Sequence, residues 1–268
     1  MTLTRITGFR LVTGDLDRLE RFYDALGFAL GERGPIGEGE LRLLGRSGTG
    51  ERLTMRLGPS RIDLDRFDPP GRAYPIEANA ADLVFQHLAL VTDDAAAAWA
   101  WAKAAGAIPI SRECPVTLPA SSGGVTAVKF RDPDGHPLEF LQFPPNTNPN
   151  WAGSGILGID HSAISVADLA ASRRFYADHG LSAARATLNQ GPAQVALDGL
   201  DSVVADVVPM HPAATPPHVE LLAYRHPRGR AQAPPEVDDI VATRIVWLGD
   251  QTALLRDPDG HLHQVERG

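Results

Sequence analysis

The chain is poor in the residues that would commit it to several common classes of protein. Its 268 residues include a single cysteine, Cys114, which excludes an intramolecular disulfide framework and a cysteine-based zinc site. Lysine is almost absent: only Lys103 and Lys129 accompany the arginines, a bias that reads as compositional drift rather than chemistry. The 25 Lys+Arg face 33 Asp+Glu, and the formal charge of −8 speaks against nucleic acid as a partner, because neutralising phosphates takes a basic face. No run approaches the roughly 18 apolar residues that cross a bilayer, and Met1–Thr7 lacks the continuous apolar stretch of a secretory signal. A cytoplasmic protein without a membrane partner is expected. Nucleophile-elbow, P-loop and H-E-x-x-H patterns are missing too. A composition of 43% hydrophobic and 22% charged residues is ordinary for a globular chain.

What is there repeats. Asp15 to Gly27 returns as Asp168 to Gly180, an offset of 153 positions, with Leu16/Leu169, Arg21/Arg174, Phe22/Phe175 and Tyr23/Tyr176 shared. Asp132-Pro133-Asp134-Gly135-His136 returns as Asp257-Pro258-Asp259-Gly260-His261. Two motifs in the same order mark a tandem duplication.

Each half reads as two smaller units. A unit opens on a β-pattern (Phe9–Thr13, Phe85–Val91, Ile159–Val166, Val241–Trp247). Asp15, Asp94 and Asp168 then cap helices by accepting from free first-turn N–H groups, and Gly27, Gly106 and Gly180 end them. Two or three strand-like runs follow, the clearest being Val125–Arg131 and Pro137–Phe143 around an Asp-Pro-Asp-Gly turn. The pattern is βαβββ four times, over 4–68, 83–144, 157–226 and 236–267. The fourth unit has no room for a helix between Trp247 and Thr252. The expected organisation is a first half over 1–146, a Pro/Asn/Gly-rich linker over 147–156 and a second half over 157–268.

This pattern resembles the vicinal oxygen chelate superfamily of glyoxalase I, bleomycin-resistance proteins and extradiol dioxygenases. The most diagnostic residues are Asp160 to Leu169, the following Arg174-Phe175-Tyr176 and both Asp-Pro-Asp-Gly-His turns. The resemblance implies an α+β fold: four βαβββ modules pairing into two curved mixed sheets, the fourth lacking its helix. It also implies a metal held by one residue on the first strand and a carboxylate or amide on the last strand of paired modules.

Carried onto this chain, the first-strand positions fall seven residues before each capping Asp: Gly8, His87 and His161, with roughly Arg244 in the fourth module. The last-strand positions fall on Glu139, Glu220 and Gln264, while Leu53–Leu57, taken as the last strand of the first module, offers no carboxylate. Sequential pairing would divide His87+Glu139 from His161+Glu220+Gln264. Nested pairing, favoured by analogy with some four-module relatives, would gather His87, Glu139, His161 and Glu220 in one cup and leave the other as structure. Two imidazoles and two carboxylates suit one divalent ion of nickel, zinc, iron, manganese or cobalt.

The implied function is a metal-dependent, glyoxalase-I-like lyase or isomerase, acting through a metal-chelated enediolate on a small molecule with vicinal oxygens. Glu220 or Glu139 would be the base, and His218, two residues before Glu220 on the same strand face, an acid/base group beside it. An extradiol-type ring-cleaving dioxygenase and a drug-sequestering binding protein are the alternatives. The protein is expected to be a monomer or homodimer. His136, His261 and Gln264 read as structural, Trp99 and Trp101 as packing residues, Ser121–Gly124 as a connection, and Arg225–Arg230 as a solvated loop.

Overall fold

The computed structural model describes residues 1–112 and 115–268; the reasoning that rested on Cys114 lies outside the described residues. The first module holds β1 (Leu3–Val12), α1 (Leu16–Ala25), β2 (Ala29–Pro35), α2 (Glu38–Leu43), β3 (Thr49–Leu57) and β4 (Ser60–Asp68). The second holds β5 (Gln86–Thr92), α3 (Ala95–Ala104), β6 (Ile108–Pro109), β7 (Val116–Thr117), a 3-10 turn (Ala120–Ser122), β8 (Thr126–Arg131) and β9 (Pro137–Gln142). The third holds β10 (Ile156–Ser165), α4 (Leu169–Asp178), β11 (Ser182–Ala183), β12 (Thr187–Gln190), α5 (Pro192–Asp198), β13 (Val204–His211) and β14 (His218–His226). The fourth has only β15 (Arg244–Gly249), β16 (Ala253–Arg256) and β17 (Leu262–Arg267), with no helix.

The expected punctuation does its work. Asp15 accepts from Arg18 N, Asp94 from Ala96 N and Ala97 N, and Asp168 from Ala170 N and Ala171 N. Such caps are worth about 1 kcal/mol each. Gly27, Gly106 and Gly180 follow their helices at φ of 85°, 101° and 94°, backbone that costs glycine little.

The modules pair in nested fashion. One mixed sheet runs β16-β17-β15-β1-β4-β3-β2, from the first and fourth modules. The other, of ten strands, runs β11-β13-β14-β10-β5-β9-β8-β6, with β12 also beside β13 and β7 beside β8, from the second and third. Each sheet therefore draws one module from each half of the chain. A shared core of Leu19, Phe22, Leu90, Phe140, Ile245 and Trp247, with many neighbours, joins them. No helix among the described residues is long and apolar enough to cross a membrane.

Both repeated motifs belong to one device. Tyr23 of α1 donates to Asp132 Oδ2 (3.2 Å), and Tyr176 of α4 donates to Asp257 Oδ2 (3.1 Å). The other oxygen of Asp132 takes three backbone N–H groups of its own turn, from Asp134, Gly135 and His136. Asp257 treats Asp259 and His261 the same way. Each tyrosine thus ties a helix of one sheet's module to a turn of the other's.

Two expectations change. The last strand of the first module is β4, not Leu53–Leu57: β3 is antiparallel to β4, and β4 runs parallel beside β1. Trp101 is 48% exposed, whereas Trp99 is buried and lies 5.6 Å from the Phe130 ring.

Candidate metal centre

Every module sets its first and last strands in one parallel register. Ala89 lies opposite Glu139, Ala163 opposite Glu220, Arg10 opposite Asp63, and Val246 opposite Gln264. These positions follow His87, His161, Gly8 and Arg244 by two residues, so strand alternation turns each pair to one face. In the ten-stranded sheet β5 and β10 are antiparallel neighbours, with Ala163 opposite His87 and His161 opposite Ala89. The two histidines therefore meet across the seam, their ring centroids 5.7 Å apart.

The side chains converge tightly. Glu139 Oε2 lies 3.0 Å from His87 Nε2 and 3.9 Å from His161 Nε2. Glu220 Oε2 lies 3.5 Å from the same His161 nitrogen. A β-bulge between Ile159 and His161 turns Asp160 alongside, its Oδ2 accepting from His161 Nδ1 at 3.0 Å. That bond fixes the His161 tautomer and leaves Nε2 for the centre. His218 Nε2 is 3.7 Å from Glu220 Oε1, and His211 stacks on the His218 ring at 4.5 Å. Two overlapping groups, His87–Glu139–His161 and Asp160–His161–His218, have ligand atoms within 4.8 Å of one another.

Burial opposes charge at the centre, yet attraction prevails at four groups, Asp160 among them, which its hydrogen bond with His161 holds below the usual carboxylate range against burial. Against burial, Glu139 is drawn below the usual carboxylate range by His87 and Lys129. Glu220, also against burial, falls to about 2 beside His161 and His218. Burial would lower His161, but Glu220 and the Asp160 hydrogen bond push it up to about 9. His87 goes the other way, driven down by burial. Without a cation, the carboxylates recruit a proton onto His161. Among the described residues, Nδ1 of His87 is buried without a hydrogen-bond partner. The donor set, two imidazoles with two carboxylates, fits a divalent transition ion.

His87, His161, Glu139, Glu220 and Asp160 line one cavity of about 230 Å³. Its apolar wall is a small cluster of Leu118, Leu141 and Leu197, flanked by Val125 and Phe143. α5 closes it: Ser111 donates to Leu197 O (2.7 Å), and Arg112 N donates to Ala196 O (2.9 Å). At Gly199, which ends α5 at φ 68°, a Cβ would stand 2.2 Å from Ile110 O, so only glycine lets the helix dock.

Besides Asp160, sequence reasoning missed two contributors here. Ser122 and Gly123 are part of the cavity wall, and Ser122 donates to Asn189 Oδ1 at 3.1 Å; this segment does more than connect. Lys129 is 4% exposed, lines the cavity and donates to Asp198 Oδ1 at 2.6 Å. Burial disfavours its charge, but Asp198 and Glu139 outweigh that and raise its pKa. Its place on β8 opposite Glu139 was the available signal.

The equivalent positions of the seven-stranded sheet hold a salt-bridge network instead. Contrary to expectation, the last strand of the first module does carry carboxylates, Asp63 and Asp65. Asp63 accepts from Arg10 Nε (3.2 Å) and Thr54 (2.8 Å). Arg244, fully buried, pairs with Asp65, and Gln264 donates to Glu40, which also binds Arg10 and Arg52. A side chain at Gly8 would meet Arg61 Nε at 2.9 Å. Guanidinium groups fill this cup. His136 and His261 are buried in their turns, bonded to Asp132 and Ser165 O. Arg225 pairs with Asp206, and Arg230 with Asp82, so that loop is tied at both ends.

The sequence profile of the Glyoxalase/Bleomycin resistance protein/Dioxygenase superfamily matches residues 5–140, just over half of the chain. The chain belongs to this superfamily. Glyoxalase I from Zea mays is similar in structure, with a TM-score of 0.60 and 16% identity over 98% of this chain and 92% of that one. A candidate dioxygenase from Bacillus subtilis has a TM-score of 0.59 and 12% identity over 99% and 86%. At these identities the likeness is one of fold. A comparison with curated proteins gives no match.

Proposed function

We propose that this protein is a metal-dependent lyase or isomerase of the glyoxalase I kind, with His87, Glu139, His161 and Glu220 holding one divalent cation. The observation that carries the reading is the meeting of two imidazoles and two carboxylates, from register-equivalent positions of two modules, in one cavity. When bound, the cation supplies Lewis acidity to two adjacent oxygens of a small substrate, worth several kcal/mol.

The chain's own groups do the rest. Asp160 holds the His161 ring, and His87 is anchored by Glu139 at 3.0 Å. Glu220 is the freer carboxylate, its side chain 20% exposed against 8% for Glu139 and without so short a contact. Glu220 takes the proton from the substrate carbon and returns it to the neighbouring carbon. His218, beside its Oε1, steadies the carboxylate. α5 and the apolar wall keep water from the transferred proton. A ring-cleaving dioxygenase calls for two histidines and one carboxylate with open positions; the second glutamate favours the isomerase.

The test is solvent exchange. In D2O with manganese or zinc, the protein should move deuterium into a small 2-hydroxy ketone, followed by NMR. Glu220→Gln should lower that rate about 10²–10⁴-fold while the cation stays bound. No exchange on any vicinal-oxygen compound, together with purified protein that holds no stoichiometric cation, would favour the sequestering alternative.

A further inference from the structure

We infer that the cavity selects small uncharged substrates, and that the buried Lys129–Asp198 pair enforces this choice. The inference rests on the same cavity being the metal-dependent site. Fixed charge at the cavity is dominated by carboxylates: Glu139, Asp160 and Glu220 line it, and Asp198 lies directly behind Lys129. Lys129 is the sole Lys or Arg among the described lining residues. Even a divalent cation beside that one ammonium leaves four carboxylates facing three positive charges.

Nor is the ammonium free to meet an anion. Asp198 Oδ1 holds it at 2.6 Å, and Asp198 is itself locked, its Oδ2 accepting from Gln194 Nε2 (2.9 Å) and Tyr224 (3.0 Å). Gln194 accepts from Asn189, whose Oδ1 accepts from Ser122 and Thr187. This chain of side chains satisfies itself. Among the described residues, Asp198 is the one hydrogen-bond partner of the Lys129 ammonium, which leaves two N–H donors for a ligand. They suit a neutral carbonyl or hydroxyl oxygen. A ligand carboxylate there would meet Asp198 and Glu139 at close range in a poorly solvated site, where like charges repel strongly.

Size and lining complete the class. A cavity of about 230 Å³ with Leu118, Leu141, Phe143, Leu197, Val207 and Leu222 in its wall takes a compact, partly apolar molecule. The substrate is a small neutral compound with two adjacent oxygens for the cation and an apolar body.

The test uses a matched pair of ligands, catechol and 3,4-dihydroxybenzoate, which share a chelating head and differ by one carboxylate. Calorimetric titration into zinc-loaded protein should give at least a tenfold tighter dissociation constant for catechol. Asp198→Asn keeps the shape but frees the ammonium, and should shift the ratio at least tenfold toward the benzoate. Equal or tighter benzoate binding by the unaltered protein overturns the inference, whatever the variant does. Failure of catechol to bind at all also overturns it. Zinc content of the same samples separates the two ideas. One ion per chain without charge discrimination sinks only this inference. Absence of the ion sinks the proposed function, while a tenfold preference for catechol measured without it would still uphold the neutral-ligand cavity.

Discussion

His87 and His161 face one another across the seam between β5 and β10, ring centroids 5.7 Å apart, and both open into the same cavity. Nothing local brings them together. They are the same position in two successive modules, and the antiparallel pairing of those modules' first strands turns two copies of one side chain into a pair. The two glutamates follow, because the first and last strands of both modules share one parallel register.

The Asp160 carboxylate should tune the centre without touching the ion. Asp160→Asn keeps an acceptor for His161 Nδ1 but removes its charge. Cation affinity should fall about 10–100-fold with the fold intact, as read by competition with a metallochromic chelator. An unchanged affinity would mean that His161 is not a ligand.

Cation binding should release protons. In the ion-free protein His161 titrates at about 9, raised against burial by Glu220 and Asp160. A ligand imidazole must be neutral, so binding between pH 7 and 8 should expel close to one proton per ion. Titrations in buffers of different ionisation enthalpy count it. Affinity should climb up to roughly tenfold per pH unit from about 6.5 to 9 and then level off.

The same pair links ion-free stability to pH. His161 is raised on folding, so its contribution is complete below about pH 6.5 and fades as pH climbs through about 9. Glu220 is lowered, so its contribution is complete above its ordinary value of 4.5 and is lost as pH falls toward about 2. Urea unfolding of ion-free protein should therefore favour the interval between those limits, and an added divalent cation should remove the loss at the alkaline end.

The seven-stranded sheet should matter for stability and not for the ion. Arg244 is fully buried against Asp65 and near the Phe67 ring. Arg244→Met leaves a buried carboxylate short of a partner and should cost about 3–5 kcal/mol in unfolding experiments. Cation stoichiometry should stay as it was; a loss of ion in folded variant protein would tie this network to the centre.

Much of this was legible in the residues, for physical reasons that vary from place to place. The repeats stood out because Tyr23 with Asp132, and Tyr176 with Asp257, each need both partners, so both motifs persist in both halves. Capping aspartates and terminal glycines are local signals, and they gave the helices. The lost helix of the fourth module followed from chain length alone. β4 was missed because its Asp63, Asp65 and Arg66 break the apolar pattern of a buried strand; the carboxylates are satisfied by Arg10 and Arg52 of the neighbouring strands β1 and β3 and by Arg244 of β15, partners that only the assembled sheet supplies. Lys129 looked like composition because its meaning lies in Asp198, at the end of a helix in another module. α5 carries no capping side chain, and Gly199 owes its identity to Ile110.

The most direct measurement is the metal content and zinc affinity of native protein beside the His87→Ala/His161→Ala double variant. The account predicts one divalent ion per chain in the native protein, and at least a thousandfold weaker zinc binding in a variant that still folds. A native protein without a stoichiometric ion, or a double variant that keeps it, would contradict the account.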